Sequence, residues 1–268
     1  KQNKVMTKVY LPVICYNHTV ISHFMFSVMK LIFEGQKRGI SFALDCIYFE
    51  SLIARARNAA VAHFLEDKEN THLLFIDSDI DFKFNTIMKL LKLDKEVIAV
   101  PYPMKHIHWD QIWDKIQKGK IKNIDELMRA GHAFPVKLDN LGSKELTVLD
   151  GVLEVSHAPT GCMLIKRQVF DKMIEAYPND KIEQATIING VAVNNEYNYN
   201  FFDTIHDPET KKYYGEDFGF CRKWTAIGGK CYCYISDDIT HVGEYQYNGK
   251  LIDNLEPAKK VDDIKKIK

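Results

Sequence analysis

Between residues 9 and 103, short apolar runs and longer amphipathic stretches alternate without a break. "VYLPVICY", "SFALDCIYF", "HLLFID" and "VIAVPYP" have the length and the β-branched or aromatic content of strands. Between them lie "TVISHFMFSVMKLIFEGQKRG", "SLIARARNAAVAHFLED" and "FNTIMKLLKLD", whose apolar residues recur at helical spacing. A chain that alternates in this way is expected to form a mostly parallel central sheet with helices on both faces. Each crossover lays a helix against the strands it joins, and the strands, covered on both sides, read as continuous apolar runs.

After residue 103 the rhythm breaks. A charged, partly helical excursion, "DQIWDKIQKGKIKNIDELMRAG", precedes "LTVLDGVLEVSHA" and "GCMLIKRQVF", which read as a β pair joined through "APT". A polar segment rich in Asn and Tyr, 179–212, reads as a long functional loop. A helix over "YGEDFGFCRKWTAIGG", a strand over "KCYCYI" and a short strand over "ITHVG" follow, and the Lys/Asp-rich end is expected to be a surface helix or frayed.

Composition limits the function. Hydrophobic residues make up 46% of 268 residues and aromatics 12%, enough for a sizeable core. Lys plus Arg equals Asp plus Glu at 36 each, which argues against a general binder of nucleic-acid backbones. No apolar run reaches the length of a membrane span and no signal peptide opens the chain, so a cytoplasmic place is expected. The six cysteines form no C-x-x-C pair, and reduced thiols are expected.

The apolar run "LLFI" ends in Asp77, Asp79 and Asp81, at alternate positions. They fall at the carboxyl end of what the pattern makes a central parallel strand, where ligands bind in open α/β sheets. Crowded carboxylates repel one another unless a cation lies among them. A divalent ion, Mn²⁺ or Mg²⁺, meets that need and commonly carries substrate phosphates too. Asp81, just before a helix, has a ready alternative as a capping residue.

The ordered set "SLIARARN", "FIDSD", "YGEDFGFCRKW" and "ITHVG" resembles the GT-A glycosyltransferases across about residues 8 to 245. It is also similar to the glycosyltransferase-like proteins of large viruses and phages, whose setting would be the host cytoplasm. The resemblance implies a Rossmann-like sheet with a small additional β element, in one domain over 1–249. Residues 1–103 would form the nucleotide-binding half and 104–249 the acceptor and catalytic half, with 250–268 a charged tail.

The resemblance also implies roles. Asp79 would bind the metal that bridges the donor diphosphate, Asp77 would share it or contact the ribose, and His241 would be the third ligand. Asp217 would take the proton of the acceptor hydroxyl while Glu216 positions the acceptor. Adjacent helical residues do not share a face, so these two acids are expected to do different work. Arg57, beside Asn58 near the start of its helix, is expected to serve the diphosphate or base. Arg55, two residues away, faces elsewhere, and a solvent or salt-bridge role is its default. Tyr16 would stack on the nucleobase, Lys105 or Trp109 would reach the sugar or acceptor, and Gly161 would lie under the transferred sugar. The implied reaction moves a sugar from a nucleotide diphosphate, UDP by preference, to a hydroxyl of a glycan or other acceptor, with inversion.

Three rivals are weighed on residues. A dehalogenase-like phosphatase carries its D-x-D in the first strand, followed by Gly-Thr or a similar pair; here two βα units precede it and Ile-Asp follows. A sugar nucleotidyltransferase opens with a Gly-rich loop after strand one, and "VICYNHTVIS" has no glycine. A non-catalytic glycan-binding relative would lack D-x-D or the E-D pair, and both are present.

Overall fold

The computed structural model describes residues 6–138, 146–255 and 265–267. The first part of the chain folds as its alternation requires. Strands β1 (Lys8–Ile14), β2 (Ser41–Ile47) and β3 (His72–Ile76) are joined by helices α1 (Ser22–Gln36) and α2 (Ile53–Glu66). The short β4 (Ile80–Asp81), helix α3 (Phe84–Leu93) and β5 (Val97–Ala99) complete this part. The excursion forms α4 (Trp109–Gln117) and α5 (Ile124–Arg129). Then come β6 (Leu146–Leu149), β7 (Val152–Val155), β8 (Cys162–Lys166), α6 (Arg167–Ala176) and the short strands β9 (Thr186–Ile188), β10 (Val191–Val193), β11 (Ile205–His206) and β12 (Tyr213–Tyr214). Helix α7 (Glu216–Ala226), β13 (Cys231–Tyr234), β14 (Ile239–Val242), β15 (Gln246–Gly249) and the edge strand β16 (Lys265–Ile267) close the chain.

Nine strands form the central sheet in the order β16-β6-β7-β13-β5-β8-β3-β1-β2. Tracing the pairings along that order, β2, β1, β3, β5, β13 and β6 run one way while β8, β7 and β16 run against them. The sheet divides two cores. On one side α1 and α3 contribute Phe24, Val28, Leu31, Ile87 and Leu90; on the other α2, α6 and α7 contribute Phe64, Phe170, Phe220 and Trp224. Strand β3 shows why its sequence is apolar throughout. Leu73 and Phe75 enter one core and Leu74 and Ile76 the other, all essentially buried.

Three expectations need correction. "LTVLDGVLEV" does not pair with "GCMLI". It folds on itself as the β6–β7 hairpin, through Asp150 and Gly151, both at positive φ (52° and 77°), the turn that matches strand twist. "GCMLI" becomes β8, which slots antiparallel between β3 and β5. The 179–212 segment is not all loop: β9 and β10 form a hairpin whose Asn189 side chain bonds the Tyr48 amide and the Cys46 carbonyl at the end of β2. Part of the expected tail, 256–264, lies outside the described residues, but β16 adds a strand beside β6 rather than a helix.

The six thiols are free, and all but Cys46 are buried. Among the described residues no helix is long and apolar enough to cross a membrane. The small additional β element is a second sheet, in the order β15-β14-β4, and it sets the site geometry.

Candidate active site

Because β1, β3 and β5 run together, the turns after them gather at one edge of the sheet. The antiparallel β8 begins at that edge and brings Gly161 there. The acidic turn is anchored on both sides. The Asp77 amide donates to the Gly161 carbonyl at 3.1 Å, and the Ile80 amide returns to the Asp77 carbonyl at 3.0 Å. Beyond the turn, β4 pairs with β14, with Ile80 opposite His241 and Asp81 opposite Thr240, and the Val242 amide donates to the Asp79 carbonyl at 2.8 Å. A backbone zipper thus holds "FIDSDID" against "ITHV", more than 150 residues later, and delivers His241 to Asp79.

The three aspartates separate. Asp79 points into the cluster: one carboxylate oxygen lies 3.4 Å from His241 Nε2 and the other 2.6 Å from Lys105 Nζ. Burial pushes its carboxyl up, but His241 and Lys105 outweigh that and hold it below the usual carboxylate range. Asp77 turns to Arg57 Nη2 at 3.1 Å. Asp81 lies apart, accepting a hydrogen bond from Ser27 Oγ of α1 at 2.8 Å. It does not cap α3, whose first turn begins from Lys83 without a side-chain cap; it ties β4 to α1 instead.

His241 Nδ1 lies 3.0 Å from the Pro103 carbonyl, which places a proton on Nδ1 and aims Nε2 at Asp79. A proton on Nε2 completes an ion pair with the carboxylate, and a cation could stand in that proton's place. The Lys105 chain lies across Gly243, whose missing side chain leaves it room. Among the described residues no group of three or more His, Cys, Asp or Glu side chains is arranged to hold a metal. Asp79 and His241 come together as a pair, and Asp77 does not join them.

Arg57 takes a place different from the one expected. Its side chain is only 4% exposed, stacked over the Phe75 ring, with Nη2 on Asp77 and Nε on Glu216 Oε1, each at 3.1 Å. A guanidinium closed between two carboxylates is not presented to a diphosphate. Arg57 ties the acidic turn to the start of α7 instead. Asn58 is likewise buried and occupied: its amide bonds Asn200 Oδ1 and the Phe202 carbonyl, and its oxygen accepts from the Phe202 amide. It fastens α2 to the 200–202 segment. Arg55 pairs with Glu50 through Nε at 2.6 Å and Nη2 at 2.8 Å, the salt-bridge role of the two expected for it.

At the start of α7, Gly215 precedes the acidic pair, and the two acids diverge. Glu216 faces Arg57, while Asp217 Oδ1 accepts the Phe218 amide at 2.8 Å. Burial, with the Glu216 charge adding to it, pushes the Asp217 carboxyl up to about 6. A carboxyl tuned so close to neutrality, in a cluster of acids at a sheet edge, has the property of a proton acceptor.

Tyr102 is a member of the site that sequence reasoning missed. Its partly buried ring makes an edge contact with His241 (centroids 5.1 Å apart) and lies against Gly161, where an added Cβ would enter the ring. Burial, then the charge of Asp77, raises its phenol well above the usual range, with Asp217 and Asp79 adding to the effect. Gly161 therefore makes room for a tyrosine of the chain itself, not for a sugar. The available signal was "PYP" at the end of β5, two fixed-φ residues flanking one aromatic. Tyr16, after β1, is 61% exposed at the same edge, and Trp109, four residues past Lys105, is 70% exposed. His106 and His108, between Lys105 and Trp109, contact each other edge-on.

No family model matches the chain, and no curated protein matches it. Among solved structures, the crystal structure of A197 from STIV is similar at 15% identity and a TM-score of 0.45, over 89% of this chain and 86% of that one. The 4-diphosphocytidyl-2C-methyl-D-erythritol synthase of Anaerococcus prevotii is similar at 8% identity and a TM-score of 0.34, over 66% of this chain and 78% of that one.

Proposed function

We propose that the chain is a metal-dependent glycosyltransferase that moves a sugar from a nucleotide diphosphate to an acceptor hydroxyl. One observation carries the reading. A half-buried carboxyl raised to about 6, Asp217, and an acidic pole made of Asp79 with His241 each lie close in sequence to one of the two acids, Glu216 and Asp77, that Arg57 holds together. One pole has the chemistry of a base for the incoming hydroxyl and the other that of a cradle for a leaving diphosphate.

The residues at the second pole fit a divalent ion. Asp79 and His241 would hold it through one carboxylate oxygen and one imidazole nitrogen, donor types that Mg²⁺ and Mn²⁺ accept. When bound, such an ion supplies Lewis-acid stabilisation of the negative charge that develops on the diphosphate. The Pro103 carbonyl fixes the His241 tautomer, an outer contact of the kind that orients metal ligands. Lys105 stands ready to add positive charge to the same phosphate oxygens.

At the other pole Asp217 takes the proton of the attacking hydroxyl, and its raised pKa matches the task near neutral pH. Glu216 acts through Arg57 and so positions Asp77. Attack on the anomeric carbon from the side opposite the diphosphate gives inversion. UDP is the donor nucleotide we favour, and Tyr16, exposed after β1, would stack on its base.

The test is a thermal-shift screen of nucleoside diphosphates with and without Mn²⁺. Ligand that binds only the native state raises Tm in proportion to its affinity. A shift that needs both nucleotide and Mn²⁺, and is lost in Asp79→Ala, is the expected result. No shift with any nucleotide would remove the proposal.

A further inference from the structure

Each carboxylate of the acidic turn already has a partner within the chain. Asp77 is closed on Arg57, and Asp81 accepts from Ser27. Asp79, the one that faces His241, carries the Lys105 ammonium on its other oxygen at 2.6 Å. The charge that crowded acids require is therefore supplied at Asp79 by a lysine.

The lysine is directed to that place by the backbone around it. Pro101 and Pro103 fix the chain just before it. The Met104 amide donates to the Ala133 carbonyl at 2.8 Å, and the His106 amide donates to the Met104 carbonyl at 2.7 Å. Its side chain runs over Gly243, where an added Cβ would lie 3.1 Å from Cδ and 3.4 Å from Cε. Gly243 follows directly on the strand that pairs with β4, so the zipper that brings His241 to Asp79 also provides the groove for Lys105. The segment 103–105 thus sets both partners of Asp79, one through the Pro103 carbonyl on His241 and one through the ammonium.

A divalent ion at Asp79 meets this ammonium as a like charge. Ion–oxygen bonds of about 2 Å would put the two positive charges within about 5 Å of each other. Even at the dielectric constant of water, repulsion at that range weakens ion binding by about tenfold. A diphosphate reverses the balance. Its oxygens accept from the ammonium and draw it off the carboxylate, and they share the ion with Asp79 and His241.

We infer that Lys105 is a built-in counter-ion of Asp79 that makes divalent-ion binding conditional on a diphosphate. Ion alone binds weakly, and ion and diphosphate bind as a pair, each raising the affinity for the other by the same factor. The inference rests on the proposed ion-holding role of Asp79 and His241 and adds a specificity device to it.

The experiment measures Mn²⁺ binding to the whole chain by electron paramagnetic resonance of the free ion, alone and then with UDP or inorganic pyrophosphate. The parent is compared with Lys105→Met, which keeps the length and drops the charge, and with Lys105→Arg, which keeps the charge. The Lys105 side chain is 38% exposed, so the fold should tolerate both, and circular dichroism with Tm checks this. Lys105→Met is expected to bind Mn²⁺ alone about tenfold more tightly than the parent. In the same variant the gain in Mn²⁺ affinity from UDP should shrink, while Lys105→Arg should stay close to the parent in both respects. A merely structural ion pair would leave the Mn²⁺ affinity where it was. Equal or weaker Mn²⁺ binding by Lys105→Met would overturn the inference, and a UDP- and Mn²⁺-dependent Tm shift in the parent would then leave the transferase reading standing. Tighter Mn²⁺ binding by that variant, with pyrophosphate but no nucleoside diphosphate promoting it in the parent, would keep the counter-ion role and remove the transferase reading. Absence of Mn²⁺ binding in every protein and condition would remove both.

Discussion

Arg57 and Glu216 are 159 residues apart in the chain and meet through Nε and Oε1 at 3.1 Å, in a place largely closed to solvent. With Asp77 on the other side of the same guanidinium, this contact fixes where the acidic turn stands relative to the start of α7. It follows that Arg57 sets the spacing between Asp77 and Glu216.

Arg57→Ala would leave Asp77 and Glu216 facing one another without a counter-charge. The expected cost is about 3–5 kcal/mol of stability, read from urea denaturation, because a buried pair loses its partner while the charges remain. Arg57→Lys should recover little of this, since an ammonium does not offer two fork nitrogens in two directions. A loss below about 1 kcal/mol for Arg57→Ala would show the network to be dispensable.

Asp217 predicts opposite signs for rate and stability. Its native pKa, about 6, lies above the ordinary value of 3.8, so between those pH values the native state holds a proton that the unfolded chain has released. From this group, stability is highest at low pH and falls as pH rises through that window. Asp217→Asn should therefore match the parent near pH 4 and exceed it at pH 7 to 8, by on the order of 1–2 kcal/mol. Transfer by the parent should instead rise with pH to a plateau with a midpoint near 6, and the same substitution should lower that plateau by about 10²–10⁴. A variant that is no more stable at pH 8, or one that still transfers, would contradict the assignment.

The aspartates of one turn should part under mutation. Asp79→Asn is expected to abolish the Mn²⁺-dependent part of the nucleotide Tm shift. Asp81→Ala loses only the hydrogen bond from Ser27 and should cost about 1 kcal/mol of stability with that shift intact. Melting curves with Mn²⁺ and nucleotide, with urea denaturation for the Asp81 variant, check both.

Gly161→Ala tests the contact with Tyr102. The added methyl would enter the Tyr102 ring, which is packed against His241 on its far side, so a destabilisation of about 1–3 kcal/mol is expected, with weakened nucleotide binding as Tyr102 presses on His241. Pairing the change with Tyr102→Leu should restore part of the stability. Failure of that rescue would mean the strain lies elsewhere.

The first half of the fold was legible in the sequence because local periodicity settles helices and buried strands. "HLLFID" had to be a strand covered on both sides, and Leu73 to Ile76 fill both cores. What stayed hidden were partners distant along the chain. Nothing local in "GCMLI" says that it enters between β3 and β5, and nothing in "ITHV" says that it pairs with Ile80 and Asp81. The same holds at the site. "SLIARARN" marked Arg57 as special, but a basic residue at a helix start reads as an anion ligand until the acids flanking it are placed. Glu216 and Asp217 were separable on helical geometry alone, and they do point apart.

The zipper of β4 on β14 has one last implication. Asp79 and His241 are held by main-chain bonds of the strands that carry them, so their separation is insensitive to most side-chain changes around them. A protein cut in its surface loops between these strands could be reassembled from two fragments with that pair in register. A fragment stopping short of residue 239 would lack the partner strand, leaving the acidic turn without its imidazole.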